Sequence, residues 1–314
     1  MHARSRPTAP APTPGAWAPW VVTALALAGI AVLGVGVALV PVPDRTAPIP
    51  AMPLVVDESV ADASESPSFA SRQMRESGAA ANTAVYDVSA LAQIDVWSVD
   101  PALPVDDDPF GAMTGELARP LSTAPVFADP AGAPIGYLPR DAAYGGTTVP
   151  VVVHDTHWVK VLLAGRQGTP PEGNPAQSTG WLRVADVELT RAASYVEVHL
   201  AAHTIDIVSR SGRERVANDF AWGKPSTPTP VGRTFVMLTR VVPDFAYTDG
   251  HPLVYLGVQS PTLPGFDGGT VAVTAFHYYR ERSGPNSFGC IYLDGAATDR
   301  LAALPEGSPV IIHP

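Results

Sequence analysis

The chain has 314 residues, 46% of them hydrophobic, with 34 prolines and 27 glycines, which suits about two turn-rich β domains with linkers rather than a helical bundle. The formal charge is −10, and residues 43–120 hold 13 Asp and Glu against 4 Arg. With no run of lysines or arginines, a nucleic-acid-binding face is excluded. The single cysteine, Cys290, excludes an intrachain disulfide and any cysteine-based metal cluster.

Residues 1–20 include Arg4 and Arg6, and Val21 to Val40 follow without one charge. About 20 such residues in a helix cross a ~30 Å hydrocarbon layer. Trp17 and Trp20 stand at the near end, at headgroup level. The spacing predicts a cytoplasmic tail over 1–20, a transmembrane anchor over 21–42 and an extracytoplasmic remainder in the cell membrane. A cleaved signal peptide is the competing reading, for which Pro41-Val42-Pro43 is a poor cleavage region. Either way the rest of the chain is exported.

Residues 43–120 are rich in Pro, Ala, Ser and acid, and predict a disordered linker that cannot bury enough surface to order itself. Within it, Val85 to Val99 is more apolar and reads as a short helix or a docking segment. Asp106-Asp107-Asp108 lacks the spaced ligands and glycine of a calcium loop and reads as a solvated acidic run.

From residue 121 to 190, short apolar runs alternate with turns. Pro125 to Ala128, Pro134 to Leu138, Val149 to Val153, Trp158 to Leu163 and Gly180 to Leu182 predict five short strands in a small barrel or sandwich. Trp158-x-Lys160-Val161 followed by Gly180-Trp181-Leu182 resembles a bacterial SH3-like domain. His154 and His157 lie in a turn without a third ligand and read as surface residues, not a metal pair.

Residues 194–314 read as a second, larger β unit. Tyr195 to Leu200, Thr204 to Val208, Arg215 to Ala217, Thr234 to Thr239, Thr270 to Phe276 and Val310 to Ile312 predict strands. The only helical pattern is 294–304, capped by Asp294, with Ala297, Leu301 and Leu304 on one face.

A thiol attacks as thiolate, so it needs a base and donors for the oxyanion that forms. His277 ends a predicted strand and can supply the base. Gly289 lets the backbone turn tightly before Cys290 and expose amide hydrogens. Thr227-Pro228-Thr229-Pro230-Val231-Gly232, His277, Ser287-x-Gly289-Cys290-Ile291, a helix and Gly307-x-Pro309-Val310 together resemble the L,D-transpeptidase (YkuD) catalytic domain. The resemblance implies a β-sandwich acting on peptidoglycan stem peptides. Cys290 would be the nucleophile, His277 its base, Gly289 and Cys290 the oxyanion amides, and Ser287 the residue that shapes the loop. It implies a thioester with a donor stem, resolved by an amine to give a cross-link, and it implies no cofactor and no metal.

Four departures from the family stand at the site. Phe288 replaces a histidine, Tyr292 stands where Arg or Asn is common, Tyr278 follows the histidine in place of Gly or Ser, and only nine residues separate His277 from Ser287. Phe288, Tyr292 and Tyr278 are the candidates for substrate contact, with Arg280 of the loop tip Arg280-Glu281-Arg282, which otherwise reads as solvated. An L,D-carboxypeptidase and a non-catalytic wall-binding protein are the other readings, and the sequence sets no oligomeric state. The expected fold is mainly β: anchor helix, linker, SH3-like barrel, then the L,D-transpeptidase-like sandwich with one short helix.

Overall fold

A computed structural model describes residues 78–314. The expected cytoplasmic tail, the anchor over 21–42 and the linker up to residue 77 lie outside the described residues. No helix among the described residues is long and apolar enough to cross a membrane.

The five strands expected over 121–190 are present as β2 (Thr123–Phe127), β3 (Pro134–Pro139), β4 (Val149–His154), β5 (Trp158–Leu163) and β6 (Ser178–Arg183). Two more, β1 (Glu116–Pro120) and β7 (Val187–Arg191), complete a seven-stranded sheet in the order β3-β2-β6-β5-β4-β1-β7. Its centre is β5, a β-rich run in which five of six residues are buried. Trp158 is fully enclosed, meets Phe127 edge to face at 5.0 Å and donates its indole N–H to Ala80 O at 2.9 Å. Such a pairing satisfies the ring's one polar atom while its bulk fills the core.

That last contact corrects the linker expectation for residues 78–120. Ile94, Val96, Leu103 and Met113 are buried in the same core as β4 and β5. Ile94 N–H donates to Tyr137 O at 2.9 Å, Thr179 N–H to Pro104 O at 2.8 Å, and β1 pairs with both β4 and β7. This strap docks through isolated apolar anchors at irregular spacing, a pattern that carries no periodicity. The Val85 to Val99 patch holds a 3₁₀ turn at Val88–Ala90 and then runs along the sheet. Asp106 is not solvated either: it is 7% exposed and receives both the Nε and an Nη of Arg233 at 2.8 Å. His154 also departs from the surface reading, since its Nδ1 lies 2.6 Å from Glu116 and both side chains are largely covered; His157 is exposed.

The second sheet has ten strands. Its elements are β8 (Ser194–His199), β9 (Thr204–Ser209), β10 (Gly212–Ala217), β11 (Ala221–Gly223), β12 (Gly232–Arg240), β13 (Leu253–Gln259), β14 (Val273–Tyr278), β15 (Gly284–Ser287), β16 (Ile291–Leu293) and β17 (Pro309–His313), ordered β10-β9-β8-β17-β12-β13-β14-β16-β11-β15. Among the described residues the one α-helix is α1 (Gly295–Ala302), whose first turn is capped where Asp294 accepts from Ala297 N–H at 2.8 Å.

Alternation along the central strands gives this sheet two buried faces. Val236, Val254, Leu256, Phe276, Ile291 and Leu293 face one core together with Leu301 of α1. Phe235, Met237, Tyr255 and Val273, the intervening residues, join the core of the first sheet and the strap instead. The sheet that carries the candidate site is thus covered on one face by its own helix and on the other, in part, by the preceding unit.

Candidate active site

Cys290 and His277 come together through a parallel pairing. β14 and β16 run side by side with Phe276 opposite Ile291 and His277 opposite Tyr292. Cys290, one residue before Ile291, therefore enters the row of Ala275. Phe276 and Ile291 point into the helix-side core, so alternation puts Ala275, His277, Cys290 and Tyr292 on the other face. The cysteine and histidine are diagonal neighbours there, on the same face as Tyr255 and Val273.

The tautomer of His277 follows from its contact. Its Nδ1 lies 2.9 Å from Tyr278 O, and a carbonyl only accepts, so Nδ1 carries the proton and Nε2 the free lone pair. The ring is 5% exposed. Burial pushes its pKa down to about 4, against a small upward pull from that carbonyl. Around it stand Tyr292 at 4.7 Å, Tyr247 at 5.5 Å and Tyr279 at 6.4 Å between ring centroids.

Cys290 is half-buried, its Sγ 4.0 Å from Val273 O. Burial pushes its thiol up to about 11, and the Ala275 N–H opposes the shift. Tyr247, Tyr255 and Tyr292 are all held well above the ordinary phenol range, first by burial and then by the charge a Cys290 thiolate would carry. At neutral pH the site therefore rests as neutral thiol beside neutral imidazole. Such a pair ionises only as the sulfur attacks, with the imidazole taking the proton in that step.

The turn that presents Cys290 is fixed by Ser287. Its Oγ donates to Cys290 O at 2.5 Å and accepts from Gly289 N–H at 3.1 Å. Gly289 holds a φ of +114°, a conformation that a side chain would strain. The Thr-Pro turn lies against the same loop: Thr227 Oγ1 and Lys224 N–H both donate to Ser287 O, at 3.2 and 3.1 Å. Of the two amides expected to face an oxyanion, that of Gly289 donates to Ser287 Oγ in this structure.

The substrate-contact candidates divide. Tyr292 shares the face and row of His277. Phe288 is exposed at 41% two residues before Cys290, with Lys224 Nζ 3.9 Å from its ring centroid. Arg280 is exposed on the loop between β14 and β15. Tyr278 does not contact the site through its ring. Alternation turns it to the helix side, against His251 at 5.1 Å, and only its carbonyl serves His277. Tyr247 and Tyr255, which reading the sequence missed, complete the tyrosine wall from a 3₁₀ turn and from β13, with no motif to mark them. Among the described residues no group of three or more His, Cys, Asp or Glu could hold a metal ion.

Residues 193–312 match the family model of the YkuD L,D-transpeptidase catalytic domain. The matched span holds every residue of the site: the Thr-Pro turn, His277, Ser287 and Cys290. Similar solved structures include an L,D-transpeptidase from Mycobacterium smegmatis, 16% identical, covering 50% of this chain and 91% of that one with a TM-score of 0.30. The catalytic domain of the E. faecium L,D-transpeptidase is 23% identical over 38% of this chain and 95% of its own, at 0.26. An L,D-transpeptidase from Mycobacterium tuberculosis is 17% identical, with 50% and 91% covered, at 0.29. No curated protein matches. The YkuD match ends at residue 312, so it takes in β17 and its parallel pairing with β8 up to Ile312, all but the last residue of the strand.

Proposed function

We propose that residues 194–314 form an L,D-transpeptidase that cross-links peptidoglycan through a thioester on Cys290. The observation that carries this is the Cys290–His277 pair on one sheet face, with the histidine's Nε2 lone pair left free by the bond from Nδ1 to Tyr278 O, inside a span matching the YkuD catalytic domain.

As Cys290 Sγ adds to the carbonyl of the donor stem's third residue, its proton passes to His277 Nε2. The Cys290 N–H stabilises the oxyanion. The imidazolium then returns the proton to the departing nitrogen, the C–N bond breaks, and the terminal D-alanine leaves a thioester. An amine on a neighbouring stem attacks that thioester, gives its proton to His277 and restores the thiol as the new amide forms. Water in place of the amine would trim the stem and make no cross-link.

In this reading residues 21–42 anchor the chain in the cell membrane and the preceding SH3-like β unit supports the catalytic domain outside it. The test is intact mass after incubating the full chain with a carbapenem. The wild type is expected to gain the mass of the acylating drug, and neither Cys290→Ala nor His277→Gln should do so at a comparable rate. A folded wild type that gains nothing sinks the enzymatic reading and leaves a wall-binding protein. Analysis of muropeptide products then separates cross-linking from trimming.

A further inference from the structure

Arg166 is 2% exposed and follows β5 in the first sheet. Its Nη2 donates to Pro264 O and to Thr270 O, both at 2.7 Å, while Nε and Nη1 are buried without a partner among the described residues. No carboxylate among those residues pairs with it, and burial pushes its pKa down. A buried guanidinium with three of its five N–H donors idle is an expensive way to tie two carbonyls. Stability alone does not account for it.

The two carbonyls bracket the glycine-rich tip of the segment that joins β13 to β14. The base of the same segment is fixed by Gln259, whose Nε2 donates to Val96 O at 2.8 Å and whose Oε1 accepts from Ala272 N–H at 3.0 Å. Its near side reaches the Thr-Pro turn, where Thr262 Oγ1 donates to Ser226 O at 3.1 Å. The next residue after Ala272 is Val273, whose carbonyl lies beside Cys290 Sγ. The backbone of Arg166 is itself held by the strap, through Ser98 O at 3.0 Å and Asp100 N–H at 3.1 Å.

We infer that Arg166 is a positioning residue for the Cys290 site: from the preceding β unit it fixes segment 260–272, and with it the start of β14 and the wall beside the nucleophile. Gln259 is its counterpart at the base. This rests on the proposed acyl transfer, and the experiment keeps the two separate.

The full chain is compared with Arg166→Met and Gln259→Leu, and Arg166→Lys serves as the conservative variant. Two rates are read in each: carbapenem acylation of Cys290 by intact mass, and alkylation of the thiol by iodoacetamide across pH. A displaced wall should slow acylation about tenfold or more and lower the pH midpoint of alkylation, because the segment that covers the thiol beside Val273 has then moved away from it. Arg166→Lys, able to reach one carbonyl, should recover part of the loss. Acylation of a folded Arg166→Met at the wild-type rate overturns the inference. So does a loss that Gln259→Leu does not share. If Arg166→Met fails to fold, Arg166→Lys and Gln259→Leu decide by the same two rates. A wild type without an adduct refutes the transpeptidase reading, and in that case the alkylation rates still show whether the wall holds the thiol in place.

Discussion

His277 and Ser287 make opposite kinds of contribution. His277 is useful because it is kept neutral. Its pKa near 4 in the fold, against about 6.5 unfolded, means that between those values the unfolded chain binds more protons than the folded one. Stability from this residue is therefore complete above about pH 6.5 and is lost as pH falls toward 4, up to about 3 kcal/mol. In the proposed mechanism the same depression keeps His277 able to accept a proton in acid, so carbapenem acylation should keep its rate from pH 7 to 5 and fall only near 4. An acid limb near 6.5 in the rate profile would contradict the burial of this ring. Ser287 acts through geometry. Replacing it with Ala leaves the Gly289 N–H and the Cys290 carbonyl without their partner, at about 1–3 kcal/mol. Ser287→Ala should slow acylation about tenfold or more, while Ser287→Thr, which keeps the hydroxyl, should stay close to wild type.

At the scale of elements, what the sequence displayed was what local chemistry writes into it. The Thr-Pro turn, the Ser-x-Gly-Cys turn and the Asp294 cap each depend on residues close together, and all three stand where their pattern predicted. Strands such as β5 and β8 announced themselves by alternation or β-branched runs. β11, β15 and β16 did not, because three or four residues between turns hold too little pattern to read. The strap over 78–120 was illegible for another reason. Its order comes from partners far along the chain, such as Arg233, 127 positions from Asp106. Nothing local distinguishes an acid that meets a buried arginine from one in water. The pair gives a direct test. Asp106→Ala leaves the Arg233 guanidinium buried and unpaired, and thermal unfolding should report a loss of about 3–5 kcal/mol. Replacing both with apolar residues, Asp106→Leu with Arg233→Met, should recover much of it, because the cost lies in the uncompensated charge.

For the whole molecule, the consequential feature is that the central strands of the YkuD-matching sheet belong to two cores at once. Phe235 and Met237 of β12 pack with Val151, Leu162 and the strap residue Leu103, whereas Val236 between them packs with Leu301 and Phe276. A domain boundary near residues 191–194 therefore describes the chain but not the energetics. Units that share a strand's two faces cannot unfold independently without exposing one of those faces. Residues 78–314 should accordingly unfold in one transition seen alike by calorimetry and by tryptophan fluorescence, to which Trp158 and Trp181 contribute from the first sheet and Trp222 from the second. Phe235→Ala removes a fully buried ring from the first core although it sits in the YkuD-matching sheet. The cavity should cost about 3–5 kcal/mol, which for a unit of this size lowers Tm by roughly 10 °C. The whole transition should move, including the tryptophan signal. A separate early transition confined to the YkuD-matching sheet would show that the shared face couples nothing. It would also remove the physical basis for Arg166 acting on Cys290 from the neighbouring unit.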